Sequence, residues 1–118
     1  KIAYFDCFSG ASGDMILGAI LLDPETVMSR LNRLKGLHFH RGYQADLFIL
    51  LRMMYETGAK IDLVTVKDRA IEFGTARMFD CEKKMVLWLM VIEEEVPSPF
   101  KISEWREALI KEKGNYYD

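Results

Sequence analysis

The sequence GAKIDLVTVKDR, at residues 58–69, predicts a joint between two helices and thereby an all-α fold. Gly58 can adopt the positive φ that ends a helix, because it has no Cβ. Thr65 can cap the next helix by accepting a backbone N–H, and Asp68, three residues later, can reach back to it. The stretch therefore predicts a helix that stops at Gly58, a short apolar linker and a new helix with a capping box at Thr65.

Apolar residues on both sides of this joint recur at helical spacing. They predict helices at residues 14–22, 24–35, 43–57, 65–73, 81–95 and 103–113. The centre of the fifth helix, MVLWLMVI at residues 85–92, is apolar on every side, which predicts a buried helix with a buried strand as the competing interpretation. We expect a compact all-α bundle of five to six helices with a short extended N-terminal segment.

The opening differs from the rest, because IAYFDCF at residues 2–8 is typical of a short strand. We therefore expect an extended segment and loop at residues 1–13, a helical interaction domain at residues 14–113 and a tail at residues 114–118. The chain starts at Lys1 without methionine, so we expect an excerpt or a processed product.

Composition limits the function classes. With 118 residues the chain is long enough for one domain, and its net charge of −2 gives no bulk attraction to nucleic acid or anionic lipid. Cys7 and Cys81 form no CxxC motif, which favours a reduced cytoplasmic location over a disulfide scaffold. No apolar run reaches the roughly 18–20 residues of a membrane span.

Catalytic motifs are scarce in the sequence. It has no GxxxxGK[ST] loop and so no phosphate cradle for nucleotide hydrolysis. His38 and His40 have no carboxylate or thiol cluster beside them, which favours structural or solvated imidazoles over a metal site. We expect no catalytic residues, no cofactor and no metal, with an enzymatic role left undecided.

One loop, DCFSGASGD at residues 6–14, concentrates polar chemistry. It offers carboxylates, a thiol, hydroxyls and backbone N–H groups, which together suit a phosphate or a divalent metal. The alternative is structural, because Ser12 and Asp14 can cap the helix that follows.

Most of the chain, from residue 16 to about residue 113, resembles the N-terminal domain of the DnaB-type replicative DNA helicase. The matching segments are ILGAILLDPETV at residues 16–27, MYETGAKIDLVTVKDRAIEFG at residues 54–74 and EEVPSPFKISEWREALIKEK at residues 94–113. The chain departs from the pattern at Gln44, where the family usually has histidine, and at Lys60, where it often has proline.

This resemblance implies a non-catalytic protein–protein interaction and oligomerisation domain. In the family, helical hairpins pair into dimers, form a collar above an ATPase ring and dock primase or loader proteins. The implied partners are therefore a second copy and a primase or helicase loader, with no direct nucleic-acid contact and no membrane. If exposed, Met53, Tyr55, Trp88 and Trp105 would be interface anchors, and the alternative is that all four lie in the core.

A second resemblance covers YFDCFSGASGDMILGAIL at residues 4–21, which is similar to the opening of the LarC-type nickel-insertion family. That family completes a nickel pincer nucleotide cofactor in a CTP-dependent reaction. The alternative function is thus an N-terminal fragment of a nickel-insertion protein, with CTP and a divalent metal as cofactors. Asp6, Ser9, Ser12 and Asp14 would line the site, and Cys7 would be a soft ligand. The helicase-like module is our main hypothesis because it covers more of the chain.

Overall fold

The computed structural model describes residues 11–39 and 41–117, and that part of the chain contains helices and no strand. The α-helices are α1 (Ala11–Leu22), α2 (Pro24–Met28), α3 (Gly42–Glu56), α4 (Leu63–Phe73), α5 (Glu82–Glu95) and α6 (Ile102–Tyr117). Two 3₁₀ turns, Gly36–His38 and Thr75–Met78, precede α3 and α5. The all-α prediction is confirmed, and the competing strand at residues 85–92 is wrong. The extended segment expected at residues 2–8 lies outside the described residues.

The core is built around α1, which packs against α2, α3, α5 and α6. Ile16, Leu17 and Ile20 on α1 are fully buried. Gly18 lies against the backbone of α5, where an added Cβ would come within 2.1 Å of the Ile92 carbonyl oxygen. Only glycine permits this close approach of the two helices, because any side chain would collide with main-chain atoms.

The joint at residues 58–69 forms as a helix stop and a helix start, but its cap lies three residues earlier than predicted. Gly58 has a φ of +80°. The N-cap of α4 is Asp62, whose Oδ1 accepts the Thr65 backbone N–H at 2.9 Å, while Thr65 Oγ1 accepts the Asp62 N–H at 3.1 Å. The capping box therefore pairs Asp62 with Thr65, and Asp68 lies within the helix.

The second helix is shorter than predicted, although its apolar stripe is right. Val27, Met28, Leu31 and Leu34 are all buried, but the helix ends at Met28. The carbonyl of Arg30 accepts from Arg106 Nη1 at 2.7 Å, and that of Leu31 accepts from Arg52 Nη2 at 2.9 Å. These guanidinium groups satisfy carbonyls that a longer helix would have bonded to its own N–H groups.

Two other boundaries differ from the prediction. α1 begins at Ala11 rather than at residue 14, so residues 11–13 are helical, with Gly13 packed against the side chain of Gln44. α6 continues to Tyr117 instead of ending near residue 113. Gly114 lowers helix propensity by about 1 kcal/mol, which does not by itself end a helix.

The fifth helix is not buried on every side. Leu87 and Met90 are 51% and 47% exposed, whereas Leu89 and Ile92 are fully buried. α5 packs against α1 and α4 and leaves its opposite face at the surface, so the expectation of a fully buried helix is wrong. None of the described helices is long and apolar enough to cross a bilayer.

Candidate functional site

The four proposed interface anchors divide into two exposed and two buried residues. Met53 and Tyr55 are 44% and 38% exposed, whereas Trp88 and Trp105 are only 8% and 7% exposed. Trp88 and Trp105 were expected to be anchors only if they were exposed. Because both are buried, they belong to the core. Their spacing contained this signal, since Trp88 precedes Ile92 and Trp105 precedes Leu109 by one helical turn.

Trp88 is buried by an aromatic cluster with Tyr43 and Phe79. Its ring centroid lies 5.0 Å from that of Tyr43 in an edge-to-face arrangement and 5.5 Å from that of Phe79. The indole Nε1 has no hydrogen-bond partner within the described part of the chain. The cluster joins α3 to α5 and fixes the position of the 3₁₀ turn between α4 and α5.

Met53 lies with Ile49 on one exposed stripe, which we call the α3 outer face. The two residues are one helical turn apart, and Ile49 is 43% exposed. Next to them, an added Cβ at Gly36 would lie 3.1 Å from Ile49 Cδ1, which places the loop before α3 at the edge of the stripe. Two neighbouring aliphatic side chains at the surface form an apolar contact area.

Tyr55 belongs to a different surface. Two residues along a helix differ by about 200° in direction, so Tyr55 does not share the face of Met53. It lines an open groove of about 370 Å³ together with Pro24, Ala59 and Ile61. The structure therefore does not bring Met53 and Tyr55 into a single interface.

A second groove, which we call the basic groove, lies between the loop before α3 and the outer side of α6. It has a volume of about 590 Å³ and is lined by Asn32, Arg33, Lys35, Leu37, His38 and Ile110. Leu37, an aliphatic residue of this lining, is 59% exposed. Sequence reasoning missed this groove, although residues 26–45 contain arginine and lysine and no acidic residue.

Polar contacts hold one wall of the basic groove against the other. Arg30 Nη2 donates to Ser103 Oγ at 2.8 Å, and Arg33 Nη1 forms an ion pair with Glu107 Oε2 at 2.9 Å. Glu107 also accepts from Arg106 Nε at 3.1 Å. One carboxylate is thus shared by two guanidinium groups.

The described part of the 6–14 motif does not form an open ligand site. Ser12 and Asp14 lie in α1, and Asp14 is 5% exposed. Its Oδ1 accepts a hydrogen bond from Gln44 Nε2 at 2.8 Å, which directs the carboxylate toward α3. Asp6, Cys7 and Ser9 lie outside the described residues. Among the described residues, Asp14 takes part in a buried contact between α1 and α3, and a role of the motif in binding CTP or a metal stays a prediction.

The environment of Asp14 includes Tyr43. Burial, followed by the negative charge of Asp14, raises the pKa of Tyr43, while the nearby Arg41 lowers it. Asp14 therefore contributes to a buried polar contact between α1 and α3.

The histidines give no metal site among the described residues. His38 Nδ1 accepts the backbone N–H of Lys35 at 2.9 Å, and His40 lies outside the described part. No group of three or more histidine, cysteine or acidic side chains is suitably placed for a metal ion in residues 11–39 and 41–117. The bonded His38 agrees with a structural role.

One family model matches most of the chain. The model, described as the DnaB-like helicase N terminal domain, matches residues 11–109. This range covers α1 to α5 and the first half of α6. No solved structure is significantly similar to the chain.

Curated relatives match shorter parts. A putative nickel insertion protein of Dictyoglomus thermophilum is 54% identical over 50 residues, which are 40% of this chain and 12% of the relative. A putative nickel insertion protein of Syntrophobacter fumaroxidans is 81% identical over 21 residues, 18% of this chain and 5% of the relative. A pyridinium-3,5-bisthiocarboxylic acid mononucleotide nickel insertion protein of Acetivibrio thermocellus is also 81% identical over 21 residues, with the same coverage of 18% and 5%. The chain thus corresponds to a small fraction of the length of these relatives.

Proposed function

The chain belongs to the family of DnaB-like helicase N-terminal domains, and from this premise we propose that it is a non-catalytic interaction domain of a replicative DNA helicase. In this proposal the domain associates with a second copy of itself and docks a primase or a helicase loader. Its contribution is to hold proteins together, while nucleotide hydrolysis takes place in another part of the helicase.

The observation that carries the proposal is the α3 outer face. Ile49 and Met53 expose 43% and 44% of their surface, although α3 supplies much of the core through its other side. Contact between two such faces would remove apolar area from water and supply a driving force for association. Because the chain has a net charge of only −2, repulsion between two copies is small.

Sedimentation velocity over a range of concentrations tests self-association. We expect the wild-type chain to shift from monomer to dimer as its concentration rises, and the double variant Ile49→Ser, Met53→Ser to remain monomeric. Val64→Ser is the matched control, since Val64 is 64% exposed on α4 and its truncation leaves the α3 outer face intact. Circular dichroism would establish that all three proteins keep the same fold.

The proposal would be rejected if the wild-type chain stayed monomeric at every concentration and also failed to bind a purified primase or loader from the same organism. It would be rejected equally if the chain bound ATP or CTP tightly. If the wild-type chain binds a primase or loader, the double variant weakens this binding and Val64→Ser leaves it unchanged, the α3 outer face has a role in docking as well as in self-association.

A second candidate function is nucleotide or metal binding by residues 6–14. It is favoured by the 81% identity over 21 residues with two nickel insertion proteins. The buried Asp14 contact counts against it. Calorimetric titration with CTP and a divalent metal decides between the candidates, because tight binding lost in Asp14→Ala would support this one and reject the first.

A further inference from the structure

The basic groove has a charge opposite to that of the whole chain. The net charge is −2, yet residues 26–45 carry Arg30, Arg33, Lys35 and Arg41 with no aspartate or glutamate. The segment includes the loop between α2 and α3, and two of its cations, Arg33 and Lys35, line the groove. A local positive surface on an acidic domain attracts acidic partners without attracting polyanions to the rest of the protein.

The contacts along the two walls follow a regular order. Arg30 bonds to Ser103, and one turn further along α6 Arg33 pairs with Glu107. The following turn of α6 brings Ile110 to the groove, beside Lys35 and Leu37. The two walls are therefore bonded to each other at Arg30 and Arg33, and Lys35 and Leu37 follow these bonds along the loop.

Lys35 is the cation left at the opening. Its side chain forms no ion pair with a carboxylate among the side chains described in residues 12–39 and 41–111. Arg33 keeps 59% of its side chain exposed despite its pair with Glu107. Two cationic side chains are thus placed at the rim of the groove, where an incoming carboxylate can reach them.

Two of the lining residues are aliphatic. Leu37 is 59% exposed, and Ile110 is half-buried beside it. Single-stranded nucleic acid is usually held by several aromatic side chains on which bases stack, whereas the one aromatic ring in the described lining is the imidazole of His38, whose Nδ1 accepts the Lys35 backbone N–H. A groove lined by two aliphatic and two cationic side chains suits a peptide side chain flanked by carboxylates.

We propose that the basic groove binds an acidic peptide segment of a partner protein, with one aliphatic side chain of the peptide on Leu37 and Ile110 and its carboxylates on Arg33 and Lys35. The proposal rests on the proposed function, in which the domain docks other proteins, and adds the chemistry of the docked segment. Its lining residues differ from those of the α3 outer face, although Gly36, between Lys35 and Leu37, packs against Ile49 and makes the two surfaces adjacent. Each surface is therefore tested by its own variants.

Fluorescence anisotropy on the full 118-residue chain tests this. The probe is a labelled ten-residue peptide of aspartate and glutamate with one central leucine. The comparison probes are the same peptide with asparagine and glutamine, the same peptide with serine for leucine, and a thymidine decanucleotide. We expect the acidic leucine peptide to bind best and its affinity to fall as salt rises.

Two variants and two controls locate the site. Loss of one exposed ion pair weakens binding about two- to fivefold, and charge reversal adds repulsion, so Lys35→Glu should weaken it about tenfold. Leu37→Ser should weaken it several-fold by removing the apolar contact. Lys83→Glu on α5 and Val64→Ser on α4 make the same changes at other exposed positions and should have no effect.

Several results would overturn the assignment. These are absence of binding at millimolar peptide, equal binding of the neutral peptide, equal losses in the control variants, or tighter binding of the oligonucleotide in competition with the peptide. Sedimentation of Lys35→Glu separates the two proposals. If this variant still dimerises and the wild-type chain binds no acidic peptide, the groove proposal is rejected and the proposed function stands.

Discussion

The side-chain amide of Gln44 donates a hydrogen bond to the carboxylate of Asp14 at 2.8 Å, across the contact between α3 and α1. Both residues are nearly inaccessible to solvent, at 1% and 5% exposure. Gln44→Ala removes a donor to a buried carboxylate and should lower the free energy of unfolding by about 1–3 kcal/mol. Gln44→His keeps a donor at this position and should cost less. Urea denaturation measures both, and an unchanged midpoint for Gln44→Ala would contradict a structural role for the pair.

Tyr43 should ionise at unusually high pH. Burial and the charge of Asp14 raise its pKa above the ordinary value of 10.0. The pKa of Tyr43 is higher in the folded chain than in the unfolded chain. The contribution of protonated Tyr43 to the free energy of unfolding is therefore complete below the unfolded pKa and is lost as the pH rises through the folded pKa. Above about pH 10 the wild-type chain should therefore lose stability faster than Tyr43→Phe.

The tyrosinate absorbance provides the direct measurement. The difference between the wild-type and Tyr43→Phe titrations isolates the ionisation of Tyr43, and Asp14→Asn should lower its midpoint. A midpoint at or below 10.0 in the folded wild-type chain would refute the predicted effect of burial.

The cap of α4 should depend on acid pH. The hydrogen bond from the Thr65 backbone N–H is the main cause that lowers the pKa of Asp62 below 3.8. A depressed folded-state pKa means that the stabilisation is present above the unfolded pKa and is lost as the pH falls through the folded one. Asp62→Ala should lower the melting temperature at neutral pH, and this difference should shrink below about pH 4. Asp68→Ala is the control, since Asp68 does not cap the helix, and a loss equal to that of Asp62→Ala would argue against the cap.

Two glycine-to-alanine substitutions should have opposite effects. In Gly18→Ala the new Cβ meets the Ile92 backbone at 2.1 Å, so α1 and α5 must separate. Overpacking of this kind lowers the free energy of unfolding by about 1–3 kcal/mol. Because the new Cβ collides with main-chain atoms, we expect a loss of about 3 kcal/mol or more. In Gly42→Ala the nearest atom is Met78 Sδ at 3.7 Å, so the variant should be neutral or slightly stabilised. Thermal unfolding compares them, and equal melting temperatures would show that the helices can move apart freely.

The helices were predictable because burial imposes the periodicity that the sequence displays. The stripe of Val27, Leu31 and Leu34 is buried as expected, yet α2 stops at Met28. The reason lies in Arg52 and Arg106, which reach this loop from positions far along the chain. Sequence periodicity contains no information about such distant partners.

The start of α4 shows another limit. Asp62 and Thr65 are both good N-cap residues, and each could begin a helix with a reciprocal partner three residues later. The structure selects Asp62, which brings Leu63 into α4 and leaves Val66 and Ala70 on its buried side. Local chemistry therefore indicated a capped helix, while packing selected the residue that begins it.

The surfaces were less predictable than the fold. Met53 and Trp88 have similar apolar character, and their exposures of 44% and 8% depend on which helices pack against them. The basic groove combines Arg33 and Lys35 with Ile110, which lies more than seventy positions away. Its charge could be noticed in the sequence, but the approach of Ile110 to Leu37 required the fold.

The close contact at Gly18 bears on how such a chain could arise. The segment ILGAIL, at residues 16–21, occurs in both resemblances noted above, and its glycine is required by the backbone of Ile92. In a chain joined within this helix the contact with α5 would be kept, whereas the contacts of Gly13 and Asp14 with Gln44 on α3 would depend on the residues that preceded the joint. The N-terminal turn of α1 is therefore constrained by α3, while Gly18 sets how closely the rest of α1 approaches α5.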